Sequence, residues 1–140
     1  MIGGDYAAFA DENKILLLAP TFNYDENDWY VQASYQYPEA WSGQAALDMV
    51  DEVAVRTDVD KGHLFLFGFS AGAQFAHRFA LLYPKRSVAV ASHAAGGYTL
   101  PEEFIKTDFL ITVGSLDVDR LSIAEAFLRR RDRTRDRCPL

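Results

Sequence analysis

The feature that most constrains this chain is the stretch Gly68-Phe69-Ser70-Ala71-Gly72-Ala73. It follows the apolar run His63-Leu64-Phe65-Leu66-Phe67, which is too short for a helix and rich in residues that favour strands. Phe75, Phe79 and Leu82 come after it at helical spacing, ending at Tyr83-Pro84, where proline stops the helix. A serine with glycine at i−2 and i+2 therefore stands between a buried strand and a buried helix. A nucleophile elbow requires this context. Its turn is so sharp that glycines must flank the serine where side chains would collide, and the hydroxyl is left exposed above the sheet. The plainer alternative is an ordinary strand-to-helix turn. Phosphate-binding readings fail, because no Lys-Ser/Thr follows the glycines and their spacing is not G-x-G-x-x-G.

The rest of the chain repeats the strand-and-helix alternation. Residues Tyr6 to Asn13 read as the end of a helix, with Tyr6, Phe9 and Ala10 on one face. Lys14 to Ala19 is a near-continuous apolar run stopped by Pro20, a pattern suited to a strand buried on both faces. Ser42 is placed to cap a helix carrying Leu47, Val50 and Ala54. Ser87 to Ser92 and Asp108 to Val113 read as two further strands, and a last helix carries Leu121, Ala124, Phe127 and Leu128. The expected fold is α/β, a three-layer α/β/α sandwich with a mostly parallel sheet of about four strands.

Between the first two elements of this core, Thr21 to Trp41 is a long loop by composition. It contains Trp29, Tyr30 and Tyr35 among seven aromatic residues. A loop at the C-terminal end of a parallel strand lies where open α/β sheets bind ligands, so these rings are candidates for a wall of an acyl pocket. The competing reading is that they pack the loop onto the body.

At 140 residues, 49% apolar and 14% aromatic, the chain can bury a real core and is no candidate for disorder. Its net charge of −6 argues against nucleic acid or an anionic membrane as a partner. The charge is uneven. Residues 1–128 hold eight basic and eighteen acidic side chains, whereas residues 129–140 hold six arginines against two aspartates. One domain over 1–128 is expected, followed by an arginine-rich tail over 129–140 that is either a solvated helix end or disordered. The single cysteine, Cys138, excludes an intrachain disulfide. Neither a signal-peptide core nor a membrane span is visible, which makes a cytoplasmic location the default expectation. Asp48, Asp51 and Glu52 read as a solvated helix face and not a metal site.

The chemistry expected of the elbow is acyl transfer. Ser70 would attack an ester carbonyl, and water would hydrolyse the acyl-enzyme, with no cofactor or metal required. The N–H of Ala71, at a helix N-terminus, would stabilise the oxyanion. Asp117 lies just past a strand's C-terminal end and is the best candidate to orient a base. The alternative is that it caps the next helix, a task for which Asp119 reads as better placed. The base itself is the difficulty, because no histidine follows Asp117. His63 lies at the wrong end of its strand. His77 lies two turns down the elbow helix, about 10 Å from Ser70 at 1.5 Å per residue. His93, at the end of the strand beside the elbow, is the geometric candidate for a substitute base.

These residues resemble part of an α/β-hydrolase, in particular the poly(3-hydroxyalkanoate) depolymerase-like and feruloyl-esterase-like branch. The likeness is carried by Leu17-Leu18-Ala19-Pro20, Gly68 to Gly72, His77 to Pro84, Ala95-Gly96-Gly97-Tyr98 and Val113 to Asp117, and runs from Tyr6 to about Leu128. It implies Ser70 as nucleophile, Asp117 as acid, the Ala71 N–H as one oxyanion donor, and a small-molecule or polymeric ester as substrate. It also implies a partial domain. The strands with the second oxyanion donor would precede residue 1, and the strand and loop bearing the base would follow residue 128. Two expectations result: a serine ester hydrolase, or a catalytically silent domain of the same fold.

Overall fold

Three parallel strands organise the protein: β1 (Leu64–Phe69), β2 (Ser87–His93) and β3 (Asp108–Thr112), adjacent in that order. The computed structural model describes residues 4–23, 27 and 34–136. Strand side chains alternate between faces, and β1 shows the consequence. Leu66 and Gly68 face the helices, whereas Phe65, Phe67 and Phe69 point the other way and are 73, 68 and 61% exposed.

Helix α3 (Ala71–Leu82) runs from the end of β1 back towards the start of β2 and packs on the Leu66 face. Its Ala76 and Ala80 bury against Val90, with Leu66 and Phe109 beside them. Small residues on the helix let it approach the sheet closely. Helix α2 (Ser42–Arg56) adds Ala46 and Leu47, which pack with Phe79, Leu64, Leu66 and Phe75. Helix α4 (Val118–Asp136) contributes Phe127, fully buried, with its ring 5.1 Å from that of Phe109 and 5.0 Å from that of Tyr98.

All three of these helices cover the same face. On the opposite face no covering layer is present among the described residues, so the α/β architecture is seen here as one helical layer on one sheet. The expected third layer is not formed by them.

The fourth expected strand is not formed either. Helix α1 (Gly4–Asn13) ends at Lys14, which takes a φ of 52°, and the N–H of Ile15 turns back to the carbonyl of Ala10 at 3.0 Å. From Ile15 to Ala19 the chain has no regular structure, and Ile15, Leu16 and Leu18 are about two-fifths exposed. Apolar composition suits a strand, but a strand exists only where its N–H and C=O groups find a ladder, and among the described residues β1 and β3 pair only with β2. Ser42 also departs from expectation. Trp41 holds the N-cap position of α2, and the buried Ser42 hydroxyl donates to the Tyr35 carbonyl at 2.6 Å.

Helix α4 continues through residue 128 without a break, as far as Asp136. Arg130 Nε donates to the Pro101 carbonyl at 3.1 Å and an Arg131 guanidinium N–H to that of Thr107 at 3.0 Å. These two arginines pin the helix to the loop before β3, and Thr134 is buried behind them.

Candidate active site at the end of the first strand

Ser70 is the hinge between β1 and α3, and its backbone is strained. It has a φ of 53° and ψ of −115°, a combination that side-chain-bearing residues avoid. The conformation is held from both sides. The Ser70 N–H donates to the carbonyl of His93 at 3.0 Å, extending the β1–β2 ladder by one step, and its own carbonyl accepts from Gln74 at 3.1 Å, opening the helix.

The two flanking glycines do different jobs. A β-carbon on Gly68 would lie 2.2 Å from the carbonyl oxygen of Gly72 and 2.5 Å from the Ala73 nitrogen, so the strand can turn onto the helix only without one. Gly72 has open space where its β-carbon would be. Collision was expected at both; only Gly68 meets it.

Ala71 is the first residue of α3. First-turn N–H groups have no acceptor within the helix and carry its positive dipole end, and no acidic side chain occupies this first turn. A donor for a developing oxyanion is therefore available beside Ser70.

A second strained residue stands next door. Ala94, immediately after β2, has a φ of 49°, and its N–H donates to the Thr112 carbonyl at 2.8 Å. The loop beyond it lies over Gln74, whose amide nitrogen is 3.1 Å from where a Gly96 β-carbon would sit. Nothing in the residue types marks Ala94 as strained; the outlier follows from the ladder bonds that end β2.

The three histidines fall in different settings. His93 is exposed on the open face of the sheet, its ring stacked on that of Phe69 at 5.3 Å and its Nδ1 hydrogen-bonded to the Thr112 hydroxyl. His77 is fully buried. Its Nδ1–H donates to the Ala73 carbonyl and its Nε2 accepts from the Thr99 N–H, both at 2.9 Å, so both ring nitrogens are committed and the ring is neutral. Burial pushes its pKa down to about 3, with Arg78 adding to the effect. His63, beyond the far end of β1, pairs with Asp60 at 2.6 Å.

Asp117 lies past the C-terminal end of β3, on the edge of the sheet where Ser70 emerges. One carboxylate oxygen accepts the Arg120 N–H at 3.3 Å, the other the Arg120 guanidinium at 2.5 Å, and its carbonyl accepts from Leu121. It therefore caps α4, a task expected of Asp119, which instead lies in the first turn. The Arg120 side chain and N–H hold the Asp117 carboxyl below the usual carboxylate range. Among the described residues no hydrogen bond joins Asp117 or the Ser70 hydroxyl to a histidine.

Of the aromatic loop, Trp29 and Tyr30 lie outside the described residues. Tyr35 stacks on Phe22 at 5.8 Å, and Phe22 also meets Trp41 and Phe75. Tyr35 thus packs the loop against α2 and α3. A cleft of about 470 Å³ lies at the other end of the sheet, beside Ser87 and Asp108 at the starts of β2 and β3, and does not reach Ser70. No group of three metal-ligating side chains occurs among the described residues, and none of their helices is long and apolar enough to cross a membrane.

Among solved structures, the chain is similar to the poly(3-hydroxybutyrate) depolymerase LpqC from Bordetella parapertussis, at a TM-score of 0.60 and 23% identity. The likeness covers 97% of this chain and 62% of that one. The fold is shared with that depolymerase. At this identity the likeness is one of fold, and the chain spans under two thirds of the depolymerase's length. No protein-family model and no curated protein matches the chain.

Proposed function

We propose that the chain is a hydrolase-type domain in which Ser70 is the nucleophile towards a carboxylic ester. The observation that carries this reading is the strained Ser70 backbone at the junction of β1 and α3. The turn is permitted by Gly68 and aimed at the N-terminus of a helix. Strain of this kind costs on the order of 1–3 kcal/mol and persists where the surroundings over-determine it, as the bonds to His93 and Gln74 do here. The fold shared with a polyester depolymerase supports an ester as the substrate class, small or polymeric.

In this reading Ser70 Oγ adds to the ester carbonyl and the alcohol leaves, giving an acyl-enzyme that water cleaves. The Ala71 N–H stabilises the oxyanion. Asp117 is the acidic group on the same edge, and His93 is the proposed substitute base, with Thr112 fixing its ring. Trp29 and Tyr30 are proposed as contacts for the acyl group, whereas Tyr35 serves the packing of the loop. A fluorophosphonate probe labels the protein at Ser70 and leaves Ser70→Ala unlabelled. Failure of the folded wild-type chain to label would reject the reading.

One observation favours a second reading, a catalytically silent domain. The Asp117 carboxylate is taken up by Arg120 and its helix cap, and His93 is held by Thr112. Without a base in contact with the serine, the rate falls by several orders of magnitude. Turnover of a p-nitrophenyl ester that is lost in Ser70→Ala would sink this second reading, and loss in His93→Ala would then identify the base.

A further inference from the structure

We infer that His77 and Arg78 are positioning residues for Ser70, latching in place the loop that braces its strained turn. Their catalytic meaning rests on the hydrolase reading of Ser70. The turn is held by the carbonyl of His93 on one side and by the N–H of Gln74 on the other. Both supports belong to one loop's surroundings. The loop springs from His93 through Ala94, which has a φ of 49°, and then lays Gly96 and Gly97 against the Gln74 side chain. A loop that begins on a strained residue keeps its course only where something further along fixes it.

His77 and Arg78 supply that fixture, one turn beyond Gln74 on α3. The Thr99 N–H donates to His77 Nε2 at 2.9 Å, and the Thr99 hydroxyl accepts from Arg78 Nε at 3.0 Å. One loop residue is thus gripped through both its backbone and its side chain. Beside it, the Tyr98 ring lies 4.7 Å from that of His77, and its hydroxyl pairs with that of Ser92 at 2.8 Å. Arg78 reaches a second loop as well. Its Nη1 donates to the Gln36 carbonyl at 2.9 Å, and its guanidinium lies over the Tyr37 ring at 4.1 Å. The other buried residues of α3 are alanines and a phenylalanine, so burying an imidazole and a guanidinium among them costs desolvation. An apolar pair could fill the same space. It could not hold the N–H and the hydroxyl of Thr99.

Amide hydrogen exchange of the full chain, read residue by residue by NMR, tests the latch without any chemistry at Ser70. His77→Leu fills the space without the acceptor. It is expected to speed exchange at Thr99, Gln74 and Ser70 by about tenfold or more, and to leave Val90 in β2 as in the wild type. His77→Gln returns an acceptor to the Thr99 N–H and is expected to bring these amides back to within about threefold of wild type. Thr99→Val removes only a hydroxyl from an exposed loop residue, so the test stands even if the leucine variant does not fold. It is expected to speed exchange at Ser70 by about threefold. Unchanged exchange at Ser70 in His77→Leu or in Thr99→Val, equal acceleration at Val90, or no recovery in His77→Gln would each overturn the inference. Fluorophosphonate labelling of Ser70 is expected to slow by about tenfold in His77→Leu and to recover in His77→Gln. Equal labelling of wild type and His77→Leu would also overturn it. A wild type that does not label fails the hydrolase reading instead, and exchange at Ser70 then decides the latch alone.

Discussion

A β-carbon on Gly68 would lie 2.2 Å from the carbonyl oxygen of Gly72, and this one approach separates two glycines that look equivalent in the motif. The obstructing atoms belong to helix backbone and cannot swing aside. Gly68→Ala is therefore expected to destabilise the protein by about 3 kcal/mol or more, through displacement of α3 from β1. Gly72 lies inside α3 with open space at its β-position, so Gly72→Ala is expected to stabilise by about 0.5–1 kcal/mol through helix propensity and a less flexible unfolded chain. Urea unfolding of the two variants checks both signs. Equal losses would show that the two glycines are needed for the same reason.

Strain at Ser70 makes a separate prediction. Glycine accepts a positive φ without steric cost, whereas alanine does not. Ser70→Gly is expected to be more stable than Ser70→Ala by about 1 kcal/mol, even though glycine is elsewhere the weaker choice. Thermal unfolding of the pair decides it. An alanine variant as stable as the glycine variant would mean that the turn is relaxed in solution.

How much of this was legible in the sequence depends on whether the cause is local. The strand, turn and helix around Ser70 were legible because strand composition, a glycine at the turn and helical spacing all lie within about twenty residues of one another. The Lys14–Ala19 strand was misread because its apolar run says nothing about an available edge, and strand pairing is a non-local property. The arginines of 129–136 read as a solvated tail because charge suggests water. The structure turns Arg130 and Arg131 inward to carbonyls of Pro101 and Thr107 that are more than twenty residues away in sequence. Arg120 as the partner of Asp117 was within reach, since i and i+3 on a helix start are neighbours.

Buried His77 predicts the acid side of the stability curve. Its folded pKa is lowered to about 3, against about 6.5 in the unfolded chain. Between these values the unfolded state binds the extra proton, so stability is full above pH 6.5 and falls as pH drops towards 3. For this residue alone the loss from pH 8 to pH 5 is expected to be about 2 kcal/mol. His77→Gln removes the titration, and its urea midpoint is expected to vary less over that interval than the wild type's. An unchanged pH dependence would show that His77 binds its proton equally well in the folded and unfolded chain.

The Asp117–Arg120 contact sets the sign of a last prediction. Arg120 lowers the Asp117 pKa, which means the charged carboxylate is favoured in the folded state. That stabilisation is present above the unfolded carboxylate pKa, near 3.9, and is lost as pH falls through the lower folded value. Arg120→Ala is expected to raise the Asp117 pKa and to lower the thermal midpoint at pH 7, with the difference from wild type closing at strongly acid pH. The pair is solvent-accessible, with side chains 44% and 30% exposed, so raising the salt concentration at pH 7 should also narrow the gap. Asp117→Asn keeps an oxygen for the Arg120 N–H and so retains the cap while losing the ion pair. It is expected to hold α4 better than Asp117→Ala at every pH. If the two variants melt together, the cap contributes nothing to the stability of α4.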